Sequence, residues 1–371
     1  MKFAFCLIKY FTFGGLQRSF LQIARTCGAR GHEIDVFTPE WDGDVPQWLN
    51  LKQVKVKGFT NHRRRESLAE KLAEHVKRGS YDAVVGFSKM PGLDIYYAGD
   101  ACFAAHAEKK SRVYRLTPRC RRYLDLERAV FDSTYKTRIL LVSELEKTLY
   151  QKYYGTADER FHILPPNLSA ERMAPPNAGE MRAELRNEFD IGRDDYVILM
   201  VGSGFRTKGV DRSLEAVAAL PESIRAKTWL IIIGKDNFSP FRRMAKKLKV
   251  ADNLLFFPGR PDILRFMVGA DLLLHPAYRE NTGTVLLEAM AAGLPVLVTD
   301  VCGFAPHVKR ADAGRLVLSP FQQKTLNKML IDMLTSARKH QWSANGKTYV
   351  STTDLYSRSE KAASIIEEVA S

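Results

Sequence analysis

Tyr196-Val197-Ile198-Leu199-Met200-Val201 is an unbroken apolar run, and Gly202-Ser203-Gly204-Phe205-Arg206-Thr207-Lys208-Gly209 follows it directly. A run that does not alternate cannot show one face to water, so it marks a strand covered on both sides, as in parallel sheets. The glycine-rich break and the helical stretch Val210 to Leu220 complete a strand–loop–helix unit. Further strands are expected at Trp229 to Ile233, Asn253 to Phe257, Asp271 to His275 and Pro295 to Thr299. Toward the N-terminus the same unit appears once more. Phe3 to Ile8 is apolar, Gly14-Gly15 breaks it, and Leu16, Phe20, Ile23, Ala24 and Cys27 recur at helical spacing before the strand Ile34 to Thr38. Ala83 to Phe87 and Ile139 to Val142 add two more buried strands. Strands alternating with helices predict an α/β fold of two Rossmann-like, doubly wound domains, with the carboxyl ends of both sheets facing across a cleft.

Pro165-Pro166 and Pro175-Pro176 bracket a stretch that cannot be regular helix, because proline removes a donor and restricts its predecessor. The expected organisation is therefore residues 1–168, residues 169–350, and a C-terminal segment 351–371. The amphipathic pattern from Ser357 to Val369 reads as a helix packing back on the first domain.

The chain has 371 residues, 45% apolar and 26% charged, enough to fill two cores. Its longest apolar runs are far too short to span a bilayer. Phe3 to Ile8 is followed by Lys9 and lacks a small-residue cleavage site, so a first strand is expected there in place of a signal peptide, and with it a cytoplasmic location. Five dispersed cysteines and eight histidines fall at no metal-ligand spacing, so neither a disulfide frame nor a structural metal is expected. The net charge of +14 favours phosphate-rich partners.

Three segments carry candidate chemistry. Glu280-Asn281-Thr282-Gly283-Thr284-Val285-Leu286-Leu287-Glu288 places one glutamate in a loop and one in the helix beginning near Thr282 or Thr284. Unpaired N–H groups at Gly283, Thr284 and Val285 would seat a diphosphate, and the two carboxylates could accept hydroxyls of a ribose and a hexose. A surface glutamate beside an ordinary helical one gives the same spacing. Gly202 to Gly209 offers Arg206 and Lys208 at the end of a strand. It matches neither a P-loop nor a dinucleotide fingerprint, and its cations suit a leaving diphosphate without a metal; a basic solvated turn is the alternative. From Lys109 to Arg122 the chain carries Lys109, Lys110, Arg112, Arg115, Arg119, Arg121 and Arg122, no acid, and Tyr114, with Phe103 and Tyr123 flanking. Basic residues interleaved with aromatics suit an anionic membrane surface. Nucleic acid, for which no recognised fold accompanies the run, and a solvated basic face are the competing readings. Asp42-Gly43-Asp44 reads as a solvated acidic turn rather than a metal clamp.

The motifs Phe13-Gly14-Gly15-Leu16-Gln17-Arg18, Arg30-Gly31-His32-Glu33, Lys89-Met90-Pro91-Gly92-Leu93-Asp94, Leu272 to Tyr278 and Glu280 to Pro295 resemble glycosyltransferase family 4, of GT-B fold, nearly end to end. Within it the likeness is to the glucosyltransferases of the lipopolysaccharide core. The resemblance implies retaining transfer from UDP-glucose, or a related UDP-hexose such as UDP-N-acetylgalactosamine, to a heptose of a heptosylated lipid A-core acceptor at the inner membrane face. It implies that Glu288 holds the ribose, Glu280 the transferred sugar and Lys208 the diphosphate. Arg172 would face the nucleotide, Arg260 the uracil, Gly15 the sugar or phosphate, and Asp100 the acceptor. It further implies no metal or other cofactor, no nucleic-acid partner, and membrane contact through Lys109 to Arg122. Ser19 stands where the family commonly has aspartate; Thr207, Asn167 and Pro306-His307 also depart from the family pattern.

Overall fold

The computed structural model describes the whole chain except Phe13, Gly14, Gly79 and Ser80, and except the side chains of Asn61, His62, Lys77, Arg78 and Ala170. Gly14 of the Gly14-Gly15 turn thus lies outside the described residues. The chain divides into two compact units, Met1–Asn167 with Tyr356–Ser371, and Leu168–Leu355. The helix Lys339–Thr352 runs through the expected boundary at 350, so the chain leaves the second unit only after Leu355.

The first unit holds β1 (Lys2–Cys6), β2 (Glu33–Thr38), β3 (Asn50–Gln53), β4 (Ala83–Gly86), β5 (Ile95–Ala98), β6 (Arg138–Leu141) and β7 (Phe161–Ile163). They form one parallel sheet in the order β3-β2-β1-β4-β5-β6-β7. The central strands are apolar at every position because helices cover both faces: Phe3, Ala4, Phe5 and Cys6 are all buried. Edge strand β3, Asn-Leu-Lys-Gln, has no such requirement and shows no such run, which is why its sequence gives no strand signal.

The second unit repeats the design with β8 (Tyr196–Val201), β9 (Thr228–Ile233), β10 (Leu254–Phe257), β11 (Leu272–His275), β12 (Val296–Thr299) and β13 (Gly314–Val317), in the parallel order β10-β9-β8-β11-β12-β13. In both sheets the order reverses beside the first strand, between β1 and β4 and between β8 and β11. In open parallel sheets that reversal parts the loops at the carboxyl ends and leaves a crevice for ligand.

The C-terminal helix Arg358–Ala370 packs on the helix Gly15–Ala29, burying Ala362, Ala363 and Ile366 with Phe20, Ile23 and Ala24. Arg30 fastens it through ion pairs to Glu360 at 2.6 Å and Glu367 at 2.7 Å. Arg358, almost wholly buried, donates to the Pro165 carbonyl at 2.9 Å, the Tyr97 hydroxyl at 3.2 Å and the Ser19 hydroxyl at 3.5 Å. The departure at Ser19 is therefore felt first by Arg358, which meets a neutral hydroxyl there.

Candidate functional site

The site of the second unit lies at the carboxyl ends of β8 and β11, where the sheet order reverses. The Gly202 to Gly209 segment is not a simple loop, because Phe205–Lys208 forms a helical turn between Gly204 and Gly209, both at positive φ (77° and 78°). Asp236 holds the turn's first N–H, that of Phe205, at 2.6 Å, and the Phe205 ring stacks on Phe238. A side chain at Gly209 would collide with the carbonyl oxygen of Pro276, so glycine lets this turn press backbone to backbone against the loop after β11. Tyr278 N–H donates across the same seam to the Thr207 carbonyl at 2.9 Å.

This seam brings Lys208 and Glu280 together as a mostly buried ion pair, with side chains 20% and 15% exposed. Burial lowers the Lys208 pKa, while the adjoining carboxylate acts in the opposite sense. His275, at the tip of β11, sits beneath the pair with Nε2 3.4 Å from Glu280 Oε2. Burial, with the Lys208 charge added, pushes its pKa down to about 3, so the imidazole is neutral at physiological pH. Arg206 is exposed on the same helical turn.

Gly283, at φ 88°, precedes the helix Thr284–Ala291, and no side chain caps that helix. Its first N–H groups, at Thr284 and Val285, thus belong to an uncapped helix start of the kind that accepts anions. Glu280 is pinned by its own backbone, bridging to Cys302 and accepting the Gly303 N–H at 3.1 Å. One turn inside the helix, Glu288 lies 3.4 Å from Arg172 Nε. Arg260, after β10, forms a two-pronged pair with Asp262 at 2.6 and 2.8 Å and lies over the rings of Phe257 and Phe266. Among the described residues no three of His, Cys, Asp and Glu gather in a way that could hold a metal ion.

In the first unit, Gly15 opens the helix after β1 and is exposed. Asp100 is exposed just beyond β5, its carbonyl accepting the Tyr150 hydroxyl at 3.1 Å. Directly below lies a buried pair, Lys89 with Glu127, whose members stand 38 residues apart with no local pattern to show that they meet. Lys89 also donates to the Ala101 carbonyl at 3.1 Å. Glu127 accepts the Phe103 and Ala104 N–H groups, each at 2.8 Å, and the Tyr154 hydroxyl at 2.7 Å. The segment carrying Asp100 is thereby tied to the helix Pro118–Phe131. Only the surplus of buried donors around one carboxylate reveals this, and those donors come from three separate elements.

The basic segment folds as short helices Arg112–Leu116 and Pro118–Phe131, capped by the Ser111 and Thr117 hydroxyls. Lys109, Lys110, Arg112, Arg115, Arg119 and Arg121 are exposed, and Val113 (78%) and Leu116 (63%) stand out among them. Arg122 departs from this set: it is partly buried and its guanidinium pairs with Glu66, so its charge is spent inside the unit. Among the described residues no helix is long and apolar enough to cross a membrane. Asp42, Gly43 and Asp44 form an exposed turn.

Two sheets of one strand order, with a lysine–glutamate pair and an uncapped helix at the reversal, define an enzyme of the GT-B glycosyltransferase class. Residues 13–172 match the family described as Glycosyltransferase Family 4, and residues 181–349 match Glycosyl transferases group 1. The chain belongs to this glycosyltransferase family. It is 47% identical to the lipopolysaccharide glucosyltransferase WaaG of Escherichia coli strain K12 over 98% of each chain. The crystal structure of WaaG, a glycosyltransferase involved in lipopolysaccharide biosynthesis, matches with a TM-score of 0.88 and 46% identity, covering 98% of this chain and 99% of that one. Anabaena Alr3699/HepE, solved with UDP-glucose, shares the fold at a TM-score of 0.72 and 16% identity, covering 99% of this chain and all of the other.

Proposed function

We propose that this enzyme moves a hexose, glucose before other UDP-hexoses, from a UDP-sugar to an inner-core heptose of lipopolysaccharide, with retention and without a metal. The observation that carries the reading is the Lys208–Glu280 pair beside an uncapped helix N-terminus, in a chain similar over nearly its whole length to a lipopolysaccharide glucosyltransferase. Lys208 and Arg206 neutralise charge as the C1–O bond to UDP breaks and the electron pair leaves on the β-phosphate. The Thr284 and Val285 N–H groups take phosphate oxygens at the positive end of the helix. Glu280 accepts hydroxyls of the hexose, and Glu288, steadied by Arg172, those of the ribose. Arg260, already lying on two aromatic rings, is suited to flank the uracil. The acceptor hydroxyl oxygen attacks C1 on the face that UDP leaves, and its proton passes to the departing β-phosphate oxygen.

Membrane contact at the cytoplasmic face belongs to the same reading. Val113 and Leu116, each exposed next to an arginine of the same short helix (Arg112 and Arg115), suit insertion at the boundary of an anionic leaflet. Asp100 is the candidate acceptor contact. The deciding experiment is UDP release by the purified enzyme with a panel of UDP-hexoses, heptose-terminated lipopolysaccharide and anionic liposomes. Acceptor-dependent release with one donor supports the reading and names the sugar. Release with no donor overturns it.

A further inference from the structure

Both ring nitrogens of His275 are buried and neither makes a hydrogen bond of good geometry, although the residue is 1% exposed. Such a group costs stability, and a core position at the end of β11 would be filled better by leucine. The polar side chain facing it is Glu280, whose Oε2 lies 3.4 Å from Nε2. A carboxylate can only accept, so the nitrogen turned toward it carries the proton.

We infer that neutral His275, as the Nε2–H tautomer, is the positioning residue that takes over Glu280 when the donor diphosphate draws Lys208 away. In the free enzyme Lys208 holds the Glu280 carboxylate. On the functional reading above, on which this inference rests, Lys208 must turn to the diphosphate while Glu280 turns to the sugar. A mostly buried carboxylate deprived of its cation would be costly and poorly aimed. Imidazole N–H supplies a donor from below that needs only a small shift to reach hydrogen-bonding distance. Because the ring carries no charge, it does not compete with the sugar hydroxyls for the carboxylate as a second cation would. Burial, the larger of the two influences on the ring, disfavours the imidazolium and persists after Lys208 has turned to the diphosphate. Thr299 and Cys302, which pack under the same loop, are occupied elsewhere: the Thr299 hydroxyl donates to the Ala277 carbonyl at 2.8 Å.

The test compares His275→Phe, which keeps the bulk and removes the donor, with His275→Gln, whose amide can present an N–H at a similar reach. UDP affinity by calorimetry and thermal unfolding establish that each variant is folded and holds the nucleotide. His275→Phe should lose on the order of 100-fold in kcat with KM for the donor within about threefold, the split expected when a group acts after binding. His275→Gln should recover to within about tenfold of wild type. Nitrogen-15 NMR of the wild-type imidazole gives a readout independent of turnover: the Nε2–H tautomer, uncharged from pH 5 to 8. Full kcat in His275→Phe, equal impairment of the two folded variants, or an Nδ1–H tautomer overturns the inference. Failure of the functional reading is distinguishable, since wild type itself would then release no UDP from any donor, whether or not it bound the nucleotide.

Discussion

The ammonium of Lys208, in the turn after β8, is held by the carboxylate of Glu280, in the loop after β11. Sheet order alone makes this possible, since β8 and β11 are hydrogen-bonded neighbours although β9 and β10 intervene in the chain. In the absence of donor, the two groups proposed to grip its two halves satisfy each other.

Lys208→Ala and Glu280→Ala should each reduce kcat/KM by at least about 100-fold, the cost of removing a charged partner of the transition state. UDP binding separates them: Lys208→Ala should weaken it, whereas Glu280→Ala should leave it within a few-fold. Near-normal turnover in both variants would falsify the site assignment.

Stability should fall in acid because two histidines are buried neutral. Burial pushes His307 down to about 4 and His275 to about 3, from a reference of 6.5. The unfolded chain therefore takes up protons first. The stabilisation is fully present above about pH 6.5 and is lost as pH falls through the folded values, by about 3 kcal/mol for His307 alone. His307→Gln, which can keep a polar contact with Tyr349, should flatten the decline of the melting temperature between pH 6.5 and 4. An unchanged slope would show that His307 does not titrate this way.

Lys89→Met should destabilise the first unit by about 3–5 kcal/mol, because it leaves the fully buried Glu127 carboxylate without its cation. Adding Glu127→Leu to that variant should recover part of the loss, although three donors then go unmet. Urea unfolding measures both. A cost under about 1 kcal/mol for Lys89→Met would show that the ion pair does not hold this part of the first unit together.

Val113→Asp with Leu116→Ser should weaken binding to anionic vesicles about tenfold or more while leaving the melting temperature within about 1 °C, since both side chains are exposed. Arg112→Gln with Arg115→Gln should weaken it as well and reduce its salt dependence, each cation contributing about 1 kcal/mol near a charged leaflet. Arg122→Gln should have little effect on vesicle binding, because Glu66 already engages that side chain. Equal loss from all three variants would indicate a diffuse electrostatic attraction with no insertion.

Residue pattern is enough to set out the repeated strand–loop–helix architecture and most of its strands. Strands buried on both faces must be apolar at every position, and runs such as Tyr196 to Val201 therefore announce themselves. It also showed where cations and carboxylates follow those strands. Edge strands such as β3 and β13, the latter Gly-Arg-Leu-Val, escaped because a half-covered strand is free to be polar. The helical turn at Phe205–Lys208 was hidden between glycines that read as a loop. Tertiary structure alone decided which charges meet. Lys208 with Glu280, Lys89 with Glu127, and Arg122 with Glu66 are pairs between segments far apart in sequence. Strand order and helix packing set those distances, and neither leaves a mark in local residue pattern. The neutral state of His275 was equally unreadable, because an imidazole's charge depends on what surrounds it, and its surroundings exist only once β11 is folded into the sheet.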